Sequence, residues 1–299
     1  MIPALRIILS WLVWPVLLIA SLAATAYGYS IGKPILTFNI TYFSLALLLL
    51  LLERAMPHER SWLASDGQTP ANIAHTLLSK GTVQTLIVFS AAIGLAQYVT
   101  PLSEPGSGLW PREWPLGVQI ILAVYVSEFG LYWAHRIAHE WPPLWRFHAI
   151  HHSVTKLWVV NTGRFHFVDS LKSIVPGMVI LVSLGAPMEV ITWLSAITAF
   201  IGILTHCNIE MRFGPISWIF NTPGLHRWHH SRDLREGNKN YGENIMLWDM
   251  VFGTYLNPNR RPPASIGISE AMPARFIDQV IWPFRRPKLT QKPLPEAAE

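Results

Sequence analysis

The sequence predicts an all-α integral membrane protein with about four to six transmembrane helices, including a helix hairpin, and a His-rich helical cap on the cytosolic side. The chain has 299 residues, of which 51% are hydrophobic and only 14% charged, whereas soluble domains carry about 25% charged residues. Three apolar runs are long enough to cross about 30 Å of hydrocarbon as helices. Ten of the 12 histidines lie between residues 135 and 230, directly after one of these runs.

The apolar runs define the transmembrane elements in chain order. Residues 7–27, 35–52 and 116–134 are each long enough to span, and residues 83–99 are marginal. Residues 174–205 contain a single charge, Glu189, and a Gly-Ala-Pro break at 185–187 that predicts a helix hairpin. The first run is long for a secretory signal, so we expect a retained anchor.

The distribution of basic residues predicts the orientation in the membrane. With the N-terminus inside, all but two of the 23 Lys and Arg residues lie on the cytosolic side, the exceptions being Lys33 and Arg112. Every histidine cluster is then cytosolic. The net charge of +5 fits this topology better than nucleic-acid binding, because no compact basic face accompanies it. We expect the bacterial inner membrane, or the endoplasmic reticulum membrane in a eukaryote.

The chain divides into three parts on this interpretation. We expect N-terminal transmembrane helices over residues 1–115, a domain that carries the histidine clusters over 116–257, and a cytosolic tail over 258–299. The tail after Pro283 is rich in proline and charge, which predicts partial disorder.

The histidines recur at helical spacing. His135 and His139 are four residues apart and extend the run 116–134, so they share a helix face. Two HxxHH triplets follow. In each triplet the i, i+3, i+4 spacing places three imidazoles near one face of a helix. The triplets are His148, His151 and His152, and His226, His229 and His230.

Such a concentration of imidazoles favours a metal centre. Neutral rings packed together each need a partner, and a bound cation accepts their free nitrogens. The single cysteine, Cys207, excludes Cys-rich zinc or iron–sulfur sites. Arg136 stands where an HExxH metalloprotease needs its glutamate, and a haem protein would leave the triplets unexplained. Eight to ten imidazoles are too many for one ion, so a dinuclear iron centre is the best candidate.

The flanking residues resemble a known family. The segments EFGLYWAHRIAHE, HAIHH, TPGLHRWHHS and NYGENIMLWDMVFGTY resemble the fatty acid hydroxylase/sterol desaturase superfamily of integral-membrane, non-haem di-iron oxygenases. The short gap between the first two histidine boxes favours this superfamily over acyl-CoA desaturases. The resemblance covers roughly residues 120–257.

The resemblance implies a set of metal ligands. His166 is a tenth candidate, although the family commonly has Arg-x-His-Pro-x-Glu where this chain has Arg164-Phe-His166-Phe-Val-Asp169. The implied ligands are His135, His139, His148, His151, His152, His206, His226, His229 and His230, with His166 added.

Four further residues are candidates for supporting roles. Glu128 lies two helical turns before His135, so we expect its costly intramembrane carboxylate to accept from a ligand imidazole. Asp249 is a candidate for the same role. We expect Asn208 to anchor a loop or to hold a ligand. For both Asp249 and Asn208, turn or capping chemistry is an equal alternative. Arg164 is a candidate substrate contact, either pairing with Asp169 or meeting a lipid headgroup.

The resemblance implies an O2-dependent hydroxylase of a membrane lipid, sterol or acyl chain. A desaturase of the same chemistry is the close alternative, and a His-rich membrane metal-binding or transport protein is the alternative of another class. Because the sequence contains no flavin, nicotinamide or haem fingerprint, electrons must come from a separate cytochrome, ferredoxin or reductase. A basic surface could dock that carrier or contact anionic headgroups, and its residues are Arg227, Arg232, Arg235 and Lys239.

Overall fold

The computed structural model describes residues 3–83 and 108–285, where the regular secondary structure is helical and no β-strand occurs. Within these described ranges, four helices are long and apolar enough to cross a membrane, so the protein is a membrane protein. Numbering the described helices in chain order, these four are α1 (Pro3–Ser30), α2 (Pro34–Ala55), α4 (Leu116–Glu140) and α7 (Met188–Thr205).

Helices α1 and α2 form an antiparallel pair that packs on α7. The chain reverses at Gly32, whose φ of +67° lies in the left-handed region, and Pro34 then occupies the first turn of α2. Trp14, Leu49 and Phe200 meet in the core between the three helices. Large apolar side chains such as Ile35 point outward, as expected for a surface that faces lipid rather than water.

The predicted helix hairpin is confirmed. Helix α6 (Phe167–Ser183) ends before Gly185, whose φ is +83°, and α7 begins at Met188. Helix α6 packs closely on α4, because a Cβ on Gly130 would lie only 2.7 Å from the backbone nitrogen of Gly177. This contact brings the first turn of α6 close to the end of α4, where the histidines begin.

Shorter helices form the cap over this end of the bundle. Helix α5 (Pro142–His152) follows α4 after one extended residue, Trp141, and starts with two prolines that suit a first helical turn. Helix α3 (Thr69–Ala74) continues directly into a π-helical segment, His75–Lys80. The remaining cap helices are α8 (Ile216–Ile219), α9 (Pro223–His229), α10 (Leu234–Gly237), α11 (Leu247–Val251) and α12 (Phe276–Ile281).

The C-terminal segment is part of the cap as far as residue 285. Gln279 of α12 bonds through its side-chain oxygen to Nε2 of His75 at 2.9 Å, and Trp282 is buried. The rest of the predicted disordered tail, and all of the marginal run 83–99 except Val83, lie outside the described residues.

Candidate metal centre

Nine of the ten predicted histidines assemble into two adjacent groups at the cap end of the bundle. Within each group, one ring nitrogen from every histidine lies within 4.8 Å of those of the others. The groups touch where the rings of His152 and His230 stack at 4.3 Å. The five-His group comprises His135, His139, His148, His152 and His229, and the four-His group comprises His151, His206, His226 and His230.

Helical spacing distributes each triplet between the two groups. In α5, His148 and His152 are one turn apart and face the five-His group, whereas His151 faces the four-His group. The second triplet is divided in the mirror-image way, since His226 and His230 face the four-His group and His229 faces the five-His group. A single HxxHH motif therefore supplies both groups.

The Nε2 atoms converge at the centre of each group. In the five-His group, the Nε2 atoms of His135 and His148 are 3.0 Å apart and those of His139 and His152 are 3.1 Å apart. In the four-His group, His226 Nε2 lies 3.0 Å from the Nε2 atoms of both His206 and His230.

The outward nitrogens of several rings donate to protein oxygens. Nδ1 of His135 donates to the Tyr241 carbonyl at 2.7 Å, and Nδ1 of His229 donates to the Lys239 carbonyl at 2.8 Å. In the four-His group, Nδ1 of His206 donates to the Gly202 carbonyl at 2.8 Å. Donation from Nδ1 fixes the tautomer in which Nε2 carries a lone pair directed into the group.

Burial of the cap histidines favours their neutral form. Burial lowers the pKa values of His151, His152, His226 and His230 well below the ordinary value, and the neighbouring imidazoles lower them further. Burial lowers the pKa of His229 to about 3. Neutral imidazole is the form that binds a metal.

This arrangement fits a pair of metal ions. Lone pairs that face one another at 3.0–3.5 Å repel unless a cation lies between them. A metal–nitrogen bond of about 2.1 Å would separate neighbouring ligand nitrogens by about 3 to 3.4 Å. In addition, Nε2 of His229 is buried and has no hydrogen-bond partner among the described residues.

Asp169 is a contact of the metal centre that the sequence interpretation did not identify. Its Oδ2 accepts from Nδ1 of His148 at 2.9 Å, and its Oδ1 forms an ion pair with Lys172 at 2.9 Å. A carboxylate behind a ligand histidine orients the ring and makes it a stronger ligand. The available signal was that Asp169 occupies the position of the family's glutamate.

Glu128 and Asp249 support the centre through a loop rather than by touching a histidine. Glu128 accepts from the backbone N–H groups of Glu243 and Asn244 and from the Asn244 side chain. Asp249 accepts from the backbone N–H groups of Tyr241 and Gly242, and burial raises its pKa. Together they fix the loop whose Tyr241 carbonyl holds His135.

Asn208 and His166 lie apart from both groups. The Asn208 side chain accepts from the backbone N–H of Glu59 and donates to its carbonyl, so Asn208 anchors a loop. His166 caps α6, because its Nδ1 accepts from the Val168 N–H at 3.1 Å, and its Nε2 lies 3.2 Å from the Val280 carbonyl. Both ring nitrogens of His166 are thus occupied by protein, and the structure does not bring it to the ligand groups.

Arg164 does not pair with Asp169. The buried guanidinium donates to the Ile150 carbonyl, Asn72 and Ser153, and burial lowers its pKa to about 10. It also lines a polar cavity of about 220 Å³ together with Asp66, Arg232 and Glu270.

The predicted surface position of Arg227 is wrong. Arg227 is buried and donates to the Cys207 and Ile209 carbonyls, because α9 turns this side chain into the cap. Arg232 and Arg235 are exposed and Lys239 is half-buried.

Comparison with known proteins places the chain in a family. Residues 120–254 match the model of the fatty acid hydroxylase family. The chain is 48% identical over 281 residues to ornithine lipid hydroxylase OlsE of Rhizobium tropici, a match that covers 93% of this chain and 84% of the relative. The chain belongs to the fatty acid hydroxylase family. No solved structure matches it.

More distant relatives in the fatty acid hydroxylase superfamily catalyse related oxidations. Alkylglycerol monooxygenase of Danio rerio is 30% identical over 211 residues, which cover 65% of this chain and 43% of the relative. Delta(7)-sterol-C5(6)-desaturase of Nicotiana tabacum is 32% identical over 150 residues, which cover 48% of this chain and 52% of the relative. The relatives are hydroxylases, monooxygenases and desaturases, so this family member is an oxidoreductase rather than a metal transporter.

Proposed function

We propose that this protein is a di-iron hydroxylase that inserts one oxygen atom into a C–H bond of a membrane lipid. The observation that carries the proposal is the pair of adjacent histidine groups, because five and four neutral imidazoles match the coordination needs of two ions. The family assignment favours iron over other divalent metals.

The overall reaction consumes a co-substrate and two electrons. A lipid C–H bond, O2, two electrons and two protons give a lipid C–OH group and one water molecule. Two irons held by the five-His and four-His groups would supply the O2 chemistry. In this proposal the chain's own residues would hold the irons: the Tyr241 and Lys239 carbonyls and Asp169 orient the rings of the five-His group, and the apolar helices would keep the centre close to the bilayer.

The substrate that we propose is an ornithine lipid or a closely related lipid with an amino-acid headgroup. Support comes from the 48% identity with ornithine lipid hydroxylase OlsE, which extends over 93% of this chain. The matches to alkylglycerol monooxygenase of Danio rerio and to the sterol desaturase of Nicotiana tabacum cover less of the chain.

We propose that the centre faces the cytosol of a bacterial cell and receives electrons from a separate carrier protein. The Lys and Arg distribution supports this orientation. The carrier would dock near α10, because Arg232 and Arg235 are exposed there. Nearby, Asn238 Oδ1 lies 3.2 Å from Nδ1 of His139, and the Lys239 carbonyl accepts from His229.

A product analysis tests the proposal. Purified, iron-loaded protein in lipid vesicles is supplied with ornithine lipid, a chemical or enzymatic electron source and ¹⁸O₂, and lipid masses are recorded. We expect the gain of one ¹⁸O atom, dependent on reductant and abolished in His151→Ala. Loss of two hydrogens without added oxygen would instead identify a desaturase, and no lipid change would contradict the proposal.

A further inference from the structure

The five-His group comes to the molecular surface at one histidine. Of the nine grouped histidines, His139 alone is half-buried, and the other eight are buried. His139 lies in the last turn of α4, and its Nδ1 is 3.2 Å from the side-chain oxygen of Asn238. An electron that arrives from outside the protein therefore has the least protein to cross at His139.

The indole of Trp145 packs on this histidine. Its ring centroid lies 5.2 Å from that of His139 and 5.5 Å from that of His152, so it contacts two members of the five-His group. Trp145 is half-buried. Its indole N–H is neither enclosed nor bonded to an acceptor in the described part of the chain, so this edge of the ring reaches the surface. One aromatic ring thus connects the surface to two imidazoles of the group.

These contacts distinguish Trp145 from a tryptophan that anchors a protein in a membrane. An anchoring tryptophan exposes its ring at the level of the lipid headgroups. The neighbouring Trp141 fits that description, because it is 53% exposed and makes no ring contact among the described residues. Trp145 instead shares His139 with Asn238, the polar residue that ends α10. Its position favours a role at the metal centre.

The surface near this indole carries positive charge. Arg146 follows Trp145 in α5, and Lys239 follows Asn238. Both side chains donate to backbone carbonyls, and neither pairs with a carboxylate within the described ranges. Because their charges are not neutralised, they attract an acidic partner and speed its association.

We propose that Trp145 is the electron relay of the centre, and that an acidic one-electron carrier protein docks over it. In each transfer the carrier loses one electron and a ferric ion gains it, and two transfers supply the two electrons of the reaction. The indole is neither oxidised nor reduced. Its packed ring bridges the gap to His139 and His152, and electron tunnelling weakens steeply across a gap that no atoms bridge. This inference deepens the proposed function and rests on it for the presence of iron.

A reduction assay tests the relay separately from docking. Oxidised, iron-loaded protein in nanodiscs without ornithine lipid or O2 is mixed with increasing concentrations of photoreduced plant-type ferredoxin, an acidic one-electron carrier. Stopped-flow absorbance gives the limiting rate of transfer and the half-saturating carrier concentration. We expect Trp145→Leu to lower the limiting rate several-fold and to leave the half-saturating concentration unchanged. Trp145→Phe keeps a ring at this position and should retain most of the rate.

Two further measurements exclude a purely structural effect. Trp141→Leu removes an exposed indole from the same corner of the cap and should change neither kinetic quantity. Carrier binding to iron-free protein, measured by biolayer interferometry, does not depend on the loaded centre. We expect this binding to weaken in Lys239→Gln and at high salt, and to be unchanged in Trp145→Leu. The iron content of Trp145→Leu should equal that of the wild type.

The possible failures are distinguishable. The relay is contradicted if Trp145→Leu keeps the wild-type limiting rate, if it loses iron, or if it weakens carrier binding as much as it slows transfer. It is also contradicted if dithionite reduces the wild-type protein and ferredoxin does not. If Trp145 carries electrons but the reduced protein inserts no oxygen into ornithine lipid, the relay stands and the proposed reaction is wrong. A protein that binds no iron contradicts both.

Discussion

The two histidine groups differ in how their rings are held from outside. In the five-His group, the Nδ1 atoms of His135, His139, His148 and His229 each lie within hydrogen-bond distance of a protein oxygen, and the contact of His148 is a carboxylate. In the four-His group, only Nδ1 of His206 has such a partner, whereas those of His151, His226 and His230 are buried without one in the described part of the chain.

This difference predicts that the two groups bind metal with unequal affinity. Rings that are oriented by hydrogen bonds lose little freedom when a metal binds, and a carboxylate partner strengthens the ligand. We therefore expect the five-His group to hold its ion more tightly, and the four-His group to lose its ion first under chelation. The weaker site is also the one beside Phe165 and Lys80.

The largest effect is expected from removing a ligand of the four-His group. His226→Ala leaves three imidazoles there, so we expect purified protein to retain about one iron per chain and to lose at least about 100-fold in lipid oxygenation, more than loss of an orienting contact costs. Elemental analysis and product mass spectrometry measure the two quantities. His58→Ala, a histidine outside both groups, serves as control, and retention of both irons in His226→Ala would refute the ligand assignment.

Next in size is the loss of the carboxylate that fixes the loop at residues 241–244. Glu128→Ala leaves three donors without their acceptor, which is expected to lower the free energy of unfolding by on the order of 3 kcal/mol. Thermal unfolding in detergent measures this loss. Glu140→Ala, at the exposed end of the same helix, is the matched control. An equal loss of stability in both variants would show that Glu128 does not fix the loop.

A smaller effect is expected from the charge behind His148. Asp169→Asn keeps an acceptor for Nδ1 but loses the negative charge, so we expect metal affinity of the five-His group to fall about 10-fold to 100-fold. Competition with a chelator measures the affinity. Asp278→Asn, at a half-buried carboxylate paired with Arg285 and outside both groups, should have no effect. If Asp169→Asn leaves the metal affinity of the five-His group unchanged, the expected difference in affinity between the two groups does not depend on this carboxylate.

The smallest effect is expected at His166. His166→Ala removes the cap of α6 and should cost about 1 kcal/mol of stability while iron content stays at the wild-type level. Chemical denaturation and elemental analysis report the two outcomes. Loss of iron in this variant would indicate that His166 is a metal ligand and would contradict its assignment as the cap of α6.

The sequence predicted the parts of this molecule that depend on local spacing. The hairpin break at Gly185 and the shared face of His135 and His139 follow from backbone preferences and helical periodicity. The division of each HxxHH triplet between two groups was not predicted, because it depends on how α4, α5 and α9 pack. The same is true of the Asp169–His148 contact, and of Arg227, which the packing of α9 turns inward.

The metal content and Mössbauer spectrum of the purified, ⁵⁷Fe-loaded full-length protein test whether the two histidine groups hold a pair of irons. We expect two irons per chain in two inequivalent, nitrogen-rich environments, of which the one assigned to the four-His group is removed first by chelator. One iron, no iron, or lipid oxygenation that persists after both irons are removed would contradict the di-iron assignment.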